Sequence, residues 1–250
     1  MDIRLDDKCA LVTGSTTGIG FAIALALIEA GARVTITGQD AERVALAAGR
    51  LGSSTIGEVA NSQAVADIRR VADSARDRYG RVDILVANAG VTWPARIEDV
   101  TEADFDDQMA INFKGAFFAV QQILPLIPRG GCILLTSSCL DAKGIAGMAV
   151  YSASKAAIRS LTRTLAVELA DRGIRVNSLA PGPIDTPIFE KIGGSPEDSR
   201  RLRQEESQAT VMKRLGLPGE VAAAAVFLAS DAASYMTGAN LRIDGGWTDI

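Results

Sequence analysis

The sequence predicts a parallel β-sheet covered by helices on both faces, and three observations carry that prediction. Short apolar runs of strand length alternate with longer helical patterns, the arrangement that builds βαβ units. The apolar runs read as buried strands, as a sheet covered on both faces requires. A glycine-rich turn, Thr13-Gly14-Ser15-Thr16-Thr17-Gly18-Ile19-Gly20, joins the first run to the first helical pattern. With 250 residues there is room for one large α/β domain with a sizeable core, so a single domain over 1–250 is expected.

Cys9-Ala10-Leu11-Val12-Thr13 reads as the first strand, and 19–30 as a helix closed by Gly31. A second strand follows at 33–37, then helices at 41–51 and 64–79, with Asp40 as N-cap of the first of these. The runs 82–87, 131–137 and 174–179 are further strands, separated by long helical stretches around 102–124 and 152–171. Right-handed crossovers link such strands, and ligands bind beyond their carboxyl ends.

Composition narrows the function. Hydrophobic residues make up 48% and charged ones 22%, a globular balance. A net charge of −4 with signs mixed throughout is not the footprint of a nucleic-acid binder. The charged start, Met1 to Lys8, has no signal-peptide apolar region, so a cytoplasmic protein with no membrane attachment is expected. Cys9, Cys132 and Cys139 are too few and too irregular for a disulfide framework or a thiolate metal site. Cys9 and Cys132 are expected in the core, and Cys139 has no base to activate it. The chain has no histidine, which removes Ser-His and Cys-His triads and a histidine-ligated zinc; no metal site is expected.

What remains is a constellation for proton transfer. Tyr151 and Lys155 stand four residues apart in a helical segment, on one face, with Ser138 thirteen residues before the tyrosine. A nearby ammonium favours a phenolate, so Lys155 is expected to bring the tyrosine pKa toward neutrality. In the turn after the first strand, Gly14 permits a tight bend, and Gly18 and Gly20 let backbone and helix approach closely. The helix N-terminus there supplies donors and partial positive charge to a pyrophosphate.

Together with Asn88-Ala89-Gly90, Asn112, Pro181-Gly182 and the ending Phe227 to Gly246, these motifs resemble the short-chain dehydrogenase/reductase family over nearly the whole chain. The resemblance implies a Rossmann-type doubly wound sheet and an NAD(P)-dependent oxidoreductase that interconverts a secondary alcohol and a ketone. It implies Tyr151 as general acid and base, Ser138 as hydrogen-bond partner of the substrate oxygen, and Lys155 as partner of tyrosine and nicotinamide ribose. Asn112 would hold a water linking Lys155 to solvent. The cofactor would touch Gly14, Ser15, Thr17, Gly18, Ile19 and Gly20 at the turn, and Asn88, Ala89 and Gly90 on the adenosine side. Pro181, Gly182, Ile184 and Thr186, with Tyr151 and Lys155, would meet the nicotinamide. Glu58-Val59 stands where an Asp usually meets the adenine, and Ala87 where the family often has a first Asn. The position of the NAD-type Asp holds Gly38, and the next, often Arg in NADP enzymes, holds Gln39, so NAD(H) and NADP(H) both stay open.

A substrate loop is expected around 183–215, where Gly193-Gly194-Ser195-Pro196 feeds a helix. Trp93, Met148, Ile188 and Phe189 suggest a partly apolar pocket, and Lys143 reads as solvent-facing. The partners expected are a small carbonyl or alcohol substrate and, by resemblance, further copies of the chain in a tetramer. Two other readings share the fold: a catalytically silent nucleotide sensor, and an epimerase or dehydratase that recycles its cofactor internally.

Overall fold

The structure is a computed structural model that describes residues 3–248. Its elements run β1 (Cys9–Val12), α1 (Gly18–Glu29), β2 (Arg33–Gly38), α2 (Ala41–Leu51), β3 (Thr55–Val59), α3 (Val65–Tyr79), β4 (Ile84–Ala87) and α4 (Glu102–Met109). They continue as α5 (Gly115–Ile123), β5 (Cys132–Thr136), α6 (Ala149–Glu168), β6 (Arg175–Pro181), α7 (Ile188–Gly193), α8 (Pro196–Ala209), α9 (Pro218–Ala229) and β7 (Asn240–Ile243). The strands form one parallel sheet in the order β3-β2-β1-β4-β5-β6-β7. Strand order reverses between β1 and β4, so the ligand crevice opens beyond their carboxyl ends.

The two-residue period of the strands divides the core into two layers. Ala10, Val12, Ile84, Val86, Cys132 and Leu134 pack against α1 and α9 on one face. Their neighbours Leu11, Leu85, Ala87, Ile133 and Leu135 pack against α3, α5 and α6 on the other. Neighbours point both ways and find apolar partners, which is why β1, β4 and β5 are apolar throughout.

Three features depart from the sequence reading. Edge strand β3 was not among the runs identified, because Thr55-Ile56-Gly57-Glu58-Val59 is half exposed and carries polar residues. The helical stretch at 102–124 is divided by a π-type turn at Ala110–Lys114, between α4 and α5. The expected substrate loop contains two helices, α7 and α8; Ser195 caps α8 by accepting from the Asp198 amide at 3.0 Å, and Pro196 opens it. Among the described residues no helix is long and apolar enough to cross a membrane.

Candidate active site

Ser138 leaves the carboxyl end of β5 and caps a short 3-10 turn, Cys139–Asp141, its Oγ accepting from the Leu140 amide at 3.2 Å. The first turns of α6 bring Tyr151 close enough to this serine for its hydroxyl to act on the phenol. Lys155, one turn further, is buried, and its Nζ donates to the Thr136 carbonyl at 2.8 Å and lies 5.7 Å from the Tyr151 ring centroid. Ser137 points elsewhere: its Oγ is 2.8 Å from Asp141 Oδ2 and 3.1 Å from the Lys155 carbonyl. The buried Asp141 carboxylate also accepts from Asn240 at 2.8 Å and faces Arg159 at 3.7 Å, tying the serine turn to α6 and β7.

Asn112 sits in the π-type turn, a distortion often found at functional sites. Its side chain pairs both ways with Val91, accepting from the amide at 2.8 Å and donating to the carbonyl at 2.9 Å, and donates to Ser154 at 3.1 Å. Both amide hydrogens are therefore committed, and only an Oδ1 lone pair remains for the expected water. A Cβ built on Gly90 would lie 3.3 Å from both Asn112 Oδ1 and Lys155 Nζ, so these atoms border one small space.

The expected lowering of the tyrosine pKa is corrected by the structure. Burial pushes the Tyr151 phenol up to about 12, against the opposing influence of the neighbouring Ser138 hydroxyl, as the ring packs among Cys139, Leu140 and Trp247. Burial also brings Lys155 down to about 8. The ammonium gives a hydrogen bond to Thr136 rather than to the phenol, so burial prevails at the tyrosine. Cys139, pushed up to about 12 by burial, is a packed thiol, as are Cys9 and Cys132 in the core.

The glycine turn is shaped to admit a diphosphate. Gly14 has φ +60°, and a Cβ there would come 2.7 Å from the Ala89 backbone; one on Gly20 would collide with the Gly14 carbonyl. Gly18, at φ +58°, faces Thr186 of the loop after β6. Thr17 is exposed and forms no side-chain cap, and the first turn of α1 has no acidic residue, so its amides and positive end are available to an anion. These residues fit the phosphate bridge of a dinucleotide.

Other expected contacts serve as framework. Ser15 is buried, donating to the Val12 carbonyl at 2.6 Å and accepting from the Thr37 amide at 3.1 Å, so its side chain is not free for a cofactor. Ile19 packs on the core layer of α1. Asn88 donates to the carbonyls of Thr13 and Gly14 at 3.1 and 3.0 Å and thereby sets the turn. Pro181 ends β6, and Gly182 lies against the backbone of Asp244. Ile184 is buried and bridges to Gly216, which leaves only its backbone for a nicotinamide. Glu58 turns onto α3, bonded to Ser74 at 2.5 Å and Arg70 at 3.4 Å, and Arg70 also reaches the Val59 carbonyl, so the expected carboxylate–adenine contact is not made ready here. At Gly38 a Cβ would come 2.6 Å from Thr16 Cγ2, leaving no space for an acidic side chain. Gln39 donates to Asn61 at 3.1 Å, and Asp40 caps α2 through the Arg43 amide at 2.8 Å.

Sequence reasoning missed Trp247 and misread Lys143. Asp244 accepts from the amides of Gly246 and Thr248, and Gly245 and Gly246 take positive φ, so the tail folds back and buries Trp247 against Cys139 and Leu140. Lys143 is drawn onto it, donating to the Trp247 carbonyl at 2.5 Å and lying 4.5 Å from the indole centroid. An aromatic residue directly after a Gly-Gly turn was the available signal. Met148 joins this cluster, whereas Trp93 is exposed and Phe189 packs beneath Arg203. A cavity of about 220 Å³ between Ile184, Met212 and Arg242 lies apart from Ser138 and Tyr151.

Comparison with known proteins agrees with this geometry. A family profile described as Enoyl-(Acyl carrier protein) reductase matches residues 14–248. The chain is 39% identical to oxidoreductase asL5 of Sarocladium schorii, over 99% of this chain and 98% of that one. It is 38% identical to the 3-oxoacyl-(acyl-carrier-protein) reductase FabG of Thermotoga maritima, over 98% and 99%. The crystal structure of a 3-ketoacyl-(acyl-carrier-protein) reductase from Brucella melitensis complexed with NADH superposes with a TM-score of 0.91 at 31% identity, covering 98% of this chain and all of that one.

Proposed function

Because this chain belongs to the short-chain dehydrogenase/reductase family and is an NAD(P)-dependent oxidoreductase, we propose that it interconverts a secondary alcohol and a ketone at Ser138 and Tyr151. A bound nicotinamide supplies or accepts the hydride. Tyr151, neutral at pH 7 because burial holds its proton, gives that proton to the substrate oxygen during reduction and takes it back during oxidation. Ser138 hydrogen-bonds the same oxygen, where negative charge grows. Lys155 places its ammonium behind the tyrosine, and Asn112 holds the Val91 turn that borders it. The observation that carries the reading is the nearness of Ser138 to the Tyr151 phenol, with the buried Lys155 ammonium 5.7 Å from the Tyr151 ring centroid.

The same reading makes this a cytoplasmic protein that assembles with its own copies, the exposed Phe105, Phe117 and Val167 of α4–α6 supplying apolar surface for the contact. The segment 183–215 acts as the substrate loop. The test follows nicotinamide absorbance with NADH and, separately, NADPH against ketones, diketones and 3-oxo esters. Tyr151→Phe is expected to lower kcat by about a thousandfold, within the range of a positioned proton donor, with cofactor affinity close to wild type. A variant that turns over at the wild-type rate refutes the assignment. Cofactor binding with no turnover of any substrate favours the sensor, and turnover without net change of free cofactor favours the epimerase.

A further inference from the structure

We infer that Arg203 is a positioning residue for the nicotinamide half of the cofactor, acting through Thr186. The inference rests on the reaction proposed above and on the nicotinamide contact expected of Thr186.

The segment after β6 runs along the glycine turn before it enters α7. A Cβ on Gly18 would lie 3.5 Å from both Cβ and Cγ2 of Thr186 and 3.9 Å from Cδ of Pro187, so these two residues form a wall facing the turn. A dinucleotide with its phosphates at the turn therefore has Thr186 as a neighbour.

Contacts from elsewhere in the chain fix the two ends of this segment. The Asp185 amide donates to the Gly216 carbonyl at 2.9 Å, and the Phe189 carbonyl accepts from Ser199 Oγ at 3.1 Å. Between these points a side chain from α8 takes hold. Arg203 pairs with Asp185 at 2.9 Å and Glu190 at 2.6 Å, reaches the Thr186 carbonyl at 3.5 Å, and lies 5.0 Å from the centre of the Phe189 ring. Only 25% of its side chain is exposed, and one planar guanidinium serves two carboxylates and a carbonyl, which makes it a network rather than an isolated surface pair. Arg203 need not touch the cofactor to matter, because it sets where Thr186 stands against Gly18. Without the fork the middle of the segment can move away from the turn, and a displacement of about 1 Å is enough to lose a hydrogen bond to a ligand.

The experiment measures binding of whichever of NADH and NADPH binds more tightly to the full-length protein, through the fluorescence of the reduced nicotinamide. Arg203→Met keeps an unbranched side chain on Phe189 and deletes the fork; Thr186→Val keeps the shape of the threonine and deletes its hydroxyl. Each is expected to weaken the reduced cofactor about fivefold, the size of one hydrogen bond, and to leave competition by AMP, which has no nicotinamide, at the wild-type level. In the double variant the loss should stay near that of either single variant, since both remove the same contact. Arg203→Lys, with a point charge in place of a fork, should recover part of the affinity, and thermal melts check that every variant folds. Cofactor affinity unchanged by Arg203→Met, equal weakening of AMP, or losses that multiply in the double variant overturns the inference. None of these readings needs turnover: a wild-type protein that binds cofactor and reduces no ketone counts against the proposed reaction, while the coupling between Arg203 and Thr186 still decides the role of Arg203.

Discussion

Replacing Lys155 with methionine is expected to make the protein more stable at neutral pH while silencing it. Burial moves the Lys155 pKa from 10.5 to about 8. A difference of that size corresponds to about 3 kcal/mol of native-state destabilisation while the ammonium is charged. Methionine removes that charge but leaves the Thr136 carbonyl without its donor, which returns about 1 kcal/mol. The net gain at pH 7 is therefore about 2 kcal/mol. Below pH 8 the ammonium is charged in the folded and the unfolded chain, so the penalty is fully present. Between pH 8 and 10.5 the native lysine releases its proton while the unfolded one keeps it. Wild type thus becomes more stable relative to the variant as pH rises, and the variant's advantage shrinks and reverses before the unfolded lysine's pKa of 10.5, because the Thr136 hydrogen bond it lacks is then no longer outweighed. Urea unfolding followed by tryptophan fluorescence at pH 7, 8, 9 and 10, at one protein concentration, reads the difference directly. A variant no more stable than wild type at pH 7, or an advantage that grows with pH, would refute the argument.

Two further substitutions probe the frame. Gly14→Ala forces a side chain into left-handed backbone and against Ala89, and is expected to cost about 2–4 kcal/mol and to weaken dinucleotide binding; unchanged cofactor titration would contradict the groove assigned to this turn. Asp141→Asn keeps the shape but loses a charged acceptor for Ser137 and Asn240, so denaturant midpoints should report a loss of about 2 kcal/mol. Its kcat should fall about tenfold through displacement of the Ser138 turn, with cofactor affinity held.

The inner strands were legible because burial on both faces forces an unbroken apolar run, as in Ile84-Leu85-Val86-Ala87. Strand β3 has one side in water and admits glycine and glutamate, so it leaves no such trace. Tyr151 and Lys155 were readable as a pair because helix geometry converts a four-residue spacing into proximity, whereas Ser138, outside that helix, was readable only through the family resemblance. The direction of the tyrosine pKa was not, since it depends on where Lys155 Nζ finds its acceptor, a matter of tertiary packing. Asp141 and Trp247 were hidden for a related reason: each acts through contacts about a hundred positions away, Asp141 with Asn240 and Trp247 with Lys143.

The π-type turn at Ala110–Lys114 has a consequence for how this chain tolerates change in length. One residue more than an α-helical turn sets the phase between α4 and α5, and each residue of a regular helix advances by about 100°. Deleting a single residue there would leave helix propensity almost untouched and still produce an unbroken helix. Yet Asn112 and the exposed Phe117 would no longer keep their separate directions, one toward Val91 and the other toward solvent. A gap of one residue, harmless in a surface loop, would here rotate one half of the helical segment against the other.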